Sequence, residues 1–277
     1  MTLVNKIIKA SSVDGPGNRM SIFFQGCNFS CTYCHNPETI RKCNNCGQCV
    51  DKCPSGALSL IAGRMLWDES KCIQCDLCIK VCKNLSSPKT KEYSVDELFN
   101  EIKKNRFFIR GITTSGGECT LNVDFLTKLF KRVRKELGLT CFVDTNGGID
   151  LSTYKEFVDE ADGFMLDIKA FNEEEHLKLT DQTNSRVLNN LRYLLEVNKL
   201  YEVRTVIAPG LNNELTVDEV SKIIGNKCLY KIIAYRKFGV RKQGLEIHGE
   251  ESTSEELLEK LRQLALSNGV EKVVICH

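Results

Sequence analysis

The stretch GCNFSCTYCHN, residues 26–36, places Cys27, Cys31 and Cys34 in a C-x3-C-x2-C array directly after the apolar run SIFFQ. Three thiolates at this spacing can hold one face of an iron–sulfur cluster. Most 4Fe–4S clusters are held by four cysteines, so three leave one iron without a protein ligand. An open metal position is where chemistry is done, by the logic that separates catalytic from structural zinc sites. A zinc site of Cys27, Cys31, Cys34 and His35 is the first competitor, but adjacent Cys34 and His35 are badly placed to share one tetrahedral ion. Covalent haem is the second, because Cys31 to His35 spells C-x-x-C-H. That attachment belongs to exported proteins, and the opening MTLVNKIIKASS lacks the apolar core of a signal peptide.

Eleven of the fifteen cysteines lie between Cys27 and Cys82. CNNCGQCVDKCP supplies Cys43, Cys46, Cys49 and Cys53, and CIQCDLCIKVCK supplies Cys72, Cys75, Cys78 and Cys82, both in C-x2-C-x2-C-x3-C order. This is the two-cluster bacterial ferredoxin pattern, in which the fourth cysteine of each run serves the other cluster. One set is then Cys43, Cys46, Cys49 and Cys82; the other is Cys72, Cys75, Cys78 and Cys53. Lys83 stands where proline usually follows the second run, which removes no ligand. Two fully ligated clusters have no open iron and serve as an electron relay. Zinc knuckles remain the bland alternative for C-x2-C pairs, but do not require two regular runs of four. Cys119, Cys141, Cys228 and Cys276 are scattered and read as small buried hydrophobes.

The 277 residues are 42% hydrophobic and 27% charged, with a net charge of +2. That is ordinary for a globular protein, without the basic stripe of a nucleic-acid binder. No apolar run approaches membrane-spanning length. The expectation is a cytoplasmic protein, where clustered cysteines bind metal rather than pair as disulfides.

Short apolar runs recur along the chain: RMSIFFQ, FIRGITT, LTCFVDT, GFMLDIK, YEVRTVIA and LYKIIAY. Amphipathic stretches near 94–105, 122–137, 151–160, 184–197, 214–225 and 254–268 alternate with them. Six strands, mostly followed by helices, predict a parallel α/β architecture, with VEKVVIC at a sheet edge. Residues 1–36 and 89–277 form the expected core domain, 37–88 an inserted cysteine-rich domain, and NLSSPKTKE (84–92) its exit linker.

CNFSCTYC resembles the C-x3-C-x-aromatic-C signature of the radical S-adenosylmethionine (SAM) superfamily, with Tyr33 as the aromatic. The resemblance implies a partial (β/α)6, TIM-like barrel carrying the ferredoxin-like insert. It also implies a cluster whose open iron binds the methionine part of SAM and cleaves it to a 5′-deoxyadenosyl radical. Ser115-Gly116-Gly117-Glu118 resembles the family's GGE motif, which meets the SAM amine. Asp144-Thr145-Asn146-Gly147, Asp167-Ile168-Lys169 and Arg236 fall at the carboxy-terminal ends of later strands, where active groups of parallel barrels gather. Taken singly, each is equally a loop charge or helix cap.

Within the superfamily the chain resembles the glycyl-radical-enzyme activases, and most closely the YjjW family of glycine radical enzyme activases. The features shared are VDGPG before the cysteine loop, CHNP after it, the insert, GITTSGGE, DTNG, MLDIKA and EVRTVIAPG. By that resemblance Cys27, Cys31 and Cys34 hold the catalytic cluster, and Tyr33, Cys34 and His35 line the SAM site. Gly116, Gly117 and Glu118 meet the amine. Asp144, Asn146, Asp167, Ile168, Lys169 and Arg204 belong to the SAM-binding wall. Asp144, Thr145, Met165 and Asp167 are the expected ligands of a monovalent cation. Asp14 is expected to hold the incoming glycine loop, or else is a plain turn residue of DGPG. Better-known activases place a histidine after this strand's tyrosine; here Arg236 follows Tyr235, and a guanidinium can also donate to a carboxylate. The implied cofactors are SAM and three 4Fe–4S clusters. The implied partners are a glycyl radical enzyme and a flavodoxin or ferredoxin donor, with the chain itself monomeric. A radical SAM enzyme for a small molecule and a non-catalytic electron carrier are the rival readings.

Overall fold

The computed structural model describes residues 1–277. In chain order the strands are β1 (Thr2–Ser11), β2 (Arg19–Phe24), β3 (Leu58–Ile61), β4 (Arg64–Trp67), β5 (Lys91–Tyr93), β6 (Gly111–Gly116), β7 (Thr140–Thr145), β8 (Gly163–Asp167), β9 (Leu200–Ile207), β10 (Leu229–Ala234) and β11 (Val273–Cys276). The helices are α1 (Leu77–Lys80), α2 (Val95–Asn105), α3 (Val123–Arg132), α4 (Lys155–Glu160), α5 (Glu173–Thr180), α6 (Ser185–Glu196), α7 (Asn213–Ile224), α8 (Lys242–His248) and α9 (Glu255–Ser267).

Nine strands form one sheet in the order β11-β10-β9-β8-β7-β6-β2-β1-β5. From β2 through β11 every pairing is parallel; β1 joins β2, and β5 joins β1, in antiparallel fashion. The six expected strands are all present and β11 lies at the edge as expected. Two elements correct the reading of the sequence. The lead-in segment is itself a ten-residue strand, β1, and the end of the expected linker is β5. Both cover the side of β2 that has no parallel neighbour. Three helices were also not anticipated, α1, α5 and α8.

Strand residues alternate between two faces. On β9, Val203, Thr205 and Ile207 face one side, while Glu202, Arg204 and Val206 face the other. The first face joins Ile22, Ile112, Val143, Phe164, Leu166 and Ile232 in one core with residues of α2, α3, α4, α6, α7 and α9. Helices on a single face of a parallel sheet follow the winding of a barrel rather than a doubly wound sheet. Helix α2 illustrates the local logic. Ser94 and Glu97 form a reciprocal capping box, and Leu98, Phe99 and Ile102 make the buried stripe.

At the amino-terminal end of the strands the free face is plugged by Arg19, which is wholly buried. Its five N–H groups go to Thr113 Oγ1, Pro16 O, Thr140 Oγ1, Ile112 O and Thr140 O, and it stacks on Phe142. No carboxylate meets it. Burial lowers its pKa to about 10.

The cysteine-rich segment carries its own hairpin, β3–β4, and a small core of Cys49, Leu58 and Cys78 apart from the main one. Its two cysteine runs repeat a backbone feature. Asn45 and Gly47 in the first run, and Gln74 and Asp76 in the second, take left-handed φ of 58°, 75°, 57° and 58° at matching positions. For three non-glycine residues that conformation costs about 1 kcal/mol each.

Candidate active site

Strand β2 delivers the chain into the loop of Cys27, Cys31 and Cys34, and backbone bonds from distant segments fix that loop. Gly26 N donates to Thr39 O (2.7 Å), Cys27 N to Ile40 O (2.9 Å), Ser30 N to Thr180 O and Thr32 N to Leu179 O (both 2.9 Å). The carboxy-terminal region clamps it from outside. Arg241 donates to Cys31 O (3.1 Å), His248 Nε2 meets Thr32 Oγ1 (2.7 Å), and His35 Nε2 meets Arg236 O (2.9 Å). Buried His176 packs edge-on against Phe29. Burial pushes the Cys31 thiol up to about 12 and raises those of Cys27 and Cys34 as well. Loading a metal group on these thiols therefore releases protons.

The loop of Ser115 to Glu118 is stitched directly to the cysteine loop. Gly117 N donates to Phe24 O (2.9 Å) and Glu118 N to Gly26 O (2.8 Å). Gly116 has φ +118°, and a Cβ on Gly117 would stand 2.3 Å from Gly26 O and 2.7 Å from Thr39 O. Only glycine permits this approach. Gly117→Ala is accordingly expected to displace the cysteine loop and lower iron loading of its site, measured as iron per chain. Unchanged loading would show that the loop yields.

Glu118 does not point a free carboxylate at the cavity. Oε1 accepts from Thr120 N, Thr120 Oγ1 and Thr145 Oγ1, and Oε2 accepts from Asn146 N at 2.7 Å. Burial raises its carboxyl while these donors pull it back. Glu118 thus ties the Gly-Gly loop to the Asp144–Gly147 loop. Asn146 continues the tie, donating to Asn28 Oδ1 at 3.0 Å and facing Cys27 Sγ at 3.6 Å.

One cavity of about 300 Å³ is lined by Cys27, Cys31, Tyr33, Cys34, His35, Gly116, Gly117, Glu118, Asp144, Asn146, Asp167, Lys169 and Arg204. The thiols and an ionic network border the same cavity. Arg204 Nη1 lies 3.0 Å from Asp144 Oδ1, Nε pairs with Glu202, and Nη2 stands 3.0 Å from Met165 Sδ. Lys169 Nζ donates to Asp167 Oδ2 at 2.6 Å, and Ser115 Oγ to Asp144 Oδ2 at 2.8 Å. Lys231 stands 3.0 Å from Glu202 without hydrogen-bond alignment. Burial disfavours charge on Lys169, but Asp167, Tyr33 and Cys31 more than compensate and hold its pKa well above the usual range. Arg204 is likewise held charged by Asp144 and Glu202 against burial. Burial raises the Asp144 carboxyl, with Arg204 opposing.

Three expected residues stand apart. Ile168 is wholly buried in the helix-side core, because it follows Asp167 on the alternate face. Arg236 is exposed, and its carbonyl rather than its guanidinium meets the cysteine loop. Asp14 lies in the turn between β1 and β2, accepting from Ser21 Oγ at 2.6 Å, with its carbonyl held by Thr113. None of the three lines the cavity. Of the expected cation ligands, Asp144 and Met165 already meet Arg204, Asp167 meets Lys169, and Thr145 meets Glu118. Glu202, Lys231, Arg241, His176 and His248 were not anticipated. The first shares a strand face with Arg204 two residues away, a readable signal; the last three come from packing alone.

The donor set suits a sulfur-ligated cluster better than a single ion. No three thiol, imidazole or carboxylate groups converge on one point as an ion requires. The thiols instead border a cavity beside glycines that leave the backbone bare. In the cysteine-rich segment, Cys53, Cys72, Cys75 and Cys78 line one small pocket together. Cys43 and Cys46 lie near enough to Cys49 to add to the effect of burial, which raises its pKa to about 11. Cys82 Sγ lies 3.4 Å from Ser86 Oγ. No helix is long and apolar enough to cross a membrane.

Residues 21–222 match the family model of the radical SAM superfamily. The chain is 31% identical to the trans-4-hydroxy-L-proline dehydratase activating enzyme of Clostridioides difficile, over 95% of both chains. It is 30% identical to the isethionate sulfite-lyase activating enzyme of Desulfovibrio desulfuricans, over 99% of this chain and 96% of that one. Among solved structures, QueE from Escherichia coli is similar in fold, with a TM-score of 0.54 and 12% identity over all of this chain and 94% of that one.

Proposed function

Since the chain belongs to the radical SAM superfamily, among its glycyl-radical-enzyme activating enzymes, we propose that it installs a glycyl radical on a partner enzyme. It is a radical SAM oxidoreductase, and the family uses SAM and a 4Fe–4S cluster. When bound, that cluster supplies the electron that cleaves SAM to methionine and a 5′-deoxyadenosyl radical, which takes a hydrogen atom from a backbone glycine of the partner. The observation that carries this is the shared cavity, bordered by three thiols, two carboxylates and two cations.

In this reading Cys27, Cys31 and Cys34 hold the cluster. Gly116 and Gly117 give the methionyl amine a bare backbone, and Glu118 keeps that loop in register with Asn146. Lys169 and Arg204 are the permanent cations for the SAM carboxylate, while Asp144 and Asp167 serve the ribose or amine. A monovalent cation on Asp144, Thr145, Met165 and Asp167 would compete with the same two side chains for those acids. The protein orients the reactants and excludes water; the bound groups supply the radical.

Residues 37–88 are an inserted ferredoxin-like domain with two further 4Fe–4S clusters, on a core of 1–36 and 89–277 built as a partial (β/α)6 barrel. A flavodoxin or ferredoxin feeds the electron, and the enzyme works in the cytoplasm as a monomer. The test is anaerobic incubation with reductant, SAM and candidate glycyl radical enzymes. A glycyl doublet in electron paramagnetic resonance is expected with one of them. A small molecule consumed at full rate without any partner would replace this reading with that of a small-molecule enzyme.

A further inference from the structure

Trp67 is the single tryptophan of the chain and the last residue of β4. It pairs across the hairpin with Leu58 and packs against the small core of Cys49, Leu58 and Cys78. It also lines the pocket shared by Cys53, Cys72, Cys75 and Cys78. Its indole Nε1 is shut off from solvent and has no hydrogen-bond partner. Indole can only donate, and a native interior seldom keeps such an N–H idle without a reason. The other strong donor of the pocket is already used: Lys89 Nζ meets Asp76 Oδ1 (2.5 Å) and Gln74 Oε1 (3.1 Å). What these four thiols would bring into the pocket is a set of sulfur acceptors.

We infer that Trp67 Nε1 is the hydrogen-bond donor to a sulfur of the cluster held by Cys53, Cys72, Cys75 and Cys78, and thereby raises that cluster's reduction potential. The inference rests on the proposed cluster-binding role of the insert. The physical reason is the sign of the charge change. Reduction adds negative charge to the sulfurs, so a donor aimed at them favours the reduced state. An uncharged N–H does this without the balancing acid that Lys89 has in Asp76. Of the two insert clusters, this one becomes the better electron store.

The test uses the full-length, cluster-loaded protein under anaerobic conditions. Iron content and the intrinsic fluorescence of Trp67 are measured first. Loading of the insert is expected to quench that fluorescence strongly, and unquenched emission would overturn the inference. Potentials are then titrated by electron paramagnetic resonance in the wild type and in Trp67→Phe, which keeps the aromatic bulk and removes the N–H. One insert potential is expected to move to a more negative value. The second insert potential, and 5′-deoxyadenosine formation driven by excess chemical reductant, are expected to stay the same. Unmoved potentials in a fully loaded variant overturn the inference alone. Iron sufficient for one cluster only, in the wild type, overturns the reading of the insert and this inference with it. Should Trp67→Phe fail to retain insert iron, replacing the indole by benzothiophene at residue 67 preserves the shape without the N–H. The same negative shift then supports the donor role, and none refutes it.

Discussion

Cys34→Ala is expected to abolish 5′-deoxyadenosine formation while removing about one third of the bound iron, roughly four atoms of twelve if three 4Fe–4S clusters are present. The cysteine loop has no spare ligand. His35 is adjacent but its ring is committed to the Arg236 carbonyl, and Asn146 offers only a weak amide. The insert's thiols, with their separate core and pocket, should be indifferent to the change. Iron analysis and mass spectrometry of the nucleoside read both effects on one sample. Activity that survives would mean that the open site lies elsewhere. Loss of nearly all iron would mean that insert and core load as one unit.

Arg204→Met is expected to be the most damaging change among the uncharged cavity replacements. Arg204 is 12% exposed and lies against Asp144 and against Glu202, which is 1% exposed. Removing one partner of a buried ion pair leaves charge uncompensated, at a cost of about 3–5 kcal/mol. For a domain of this size that corresponds to a melting temperature lower by roughly 10 °C. The loss should depend on pH with a definite sign. The Asp144 carboxyl is already raised by burial, and Arg204 is the main force pulling it down. Without Arg204 it rises further. A carboxyl raised in the folded state favours folding below its unfolded value, and that advantage disappears as pH climbs through the folded value. The variant should therefore be closest to wild type at the acid end of the folded range and fall further behind as pH rises above the ordinary carboxylate range, as denaturant unfolding across that range would show. A pH-independent deficit would mean that Asp144 finds another cation, for which Lys169 is the nearest source.

The cysteine arrays and the six parallel strands were legible because both are written in local spacing. β1 was not, because its burial is uneven and two register shifts interrupt its pairing with β2. β5 is three residues long with two charged ones, so its pairing with β1 and not its composition makes it a strand. α5 begins with three glutamates and buries only His176, Leu179 and Thr180, a face too narrow to read as periodic. In the cavity, Asp144, Asp167 and Lys169 were found by their place at strand ends. Ile168 stands apart from Asp167 and Lys169, which flank it, because successive residues of an extended chain point to opposite faces. Glu118 was found but its work was not: only the fold brings Thr120, Thr145 and Asn146 to both of its oxygens. Arg241 and His248 carry no local mark, since their partners lie more than 200 residues earlier.

That long-range clamp bears on how the protein is made. The insert's cysteines are complete once Cys82 has left the ribosome, with most of the chain still to come. The cavity of Cys27, Cys31 and Cys34 waits for Arg204 and then for the segment holding Arg241 and His248. During synthesis the two kinds of site therefore mature in a fixed order, the local one first. Thiol alkylation of stalled nascent chains supplied with iron and sulfide should find the insert shielded while Cys27, Cys31 and Cys34 still react, a window in which oxygen would meet the catalytic loop before its cover arrives.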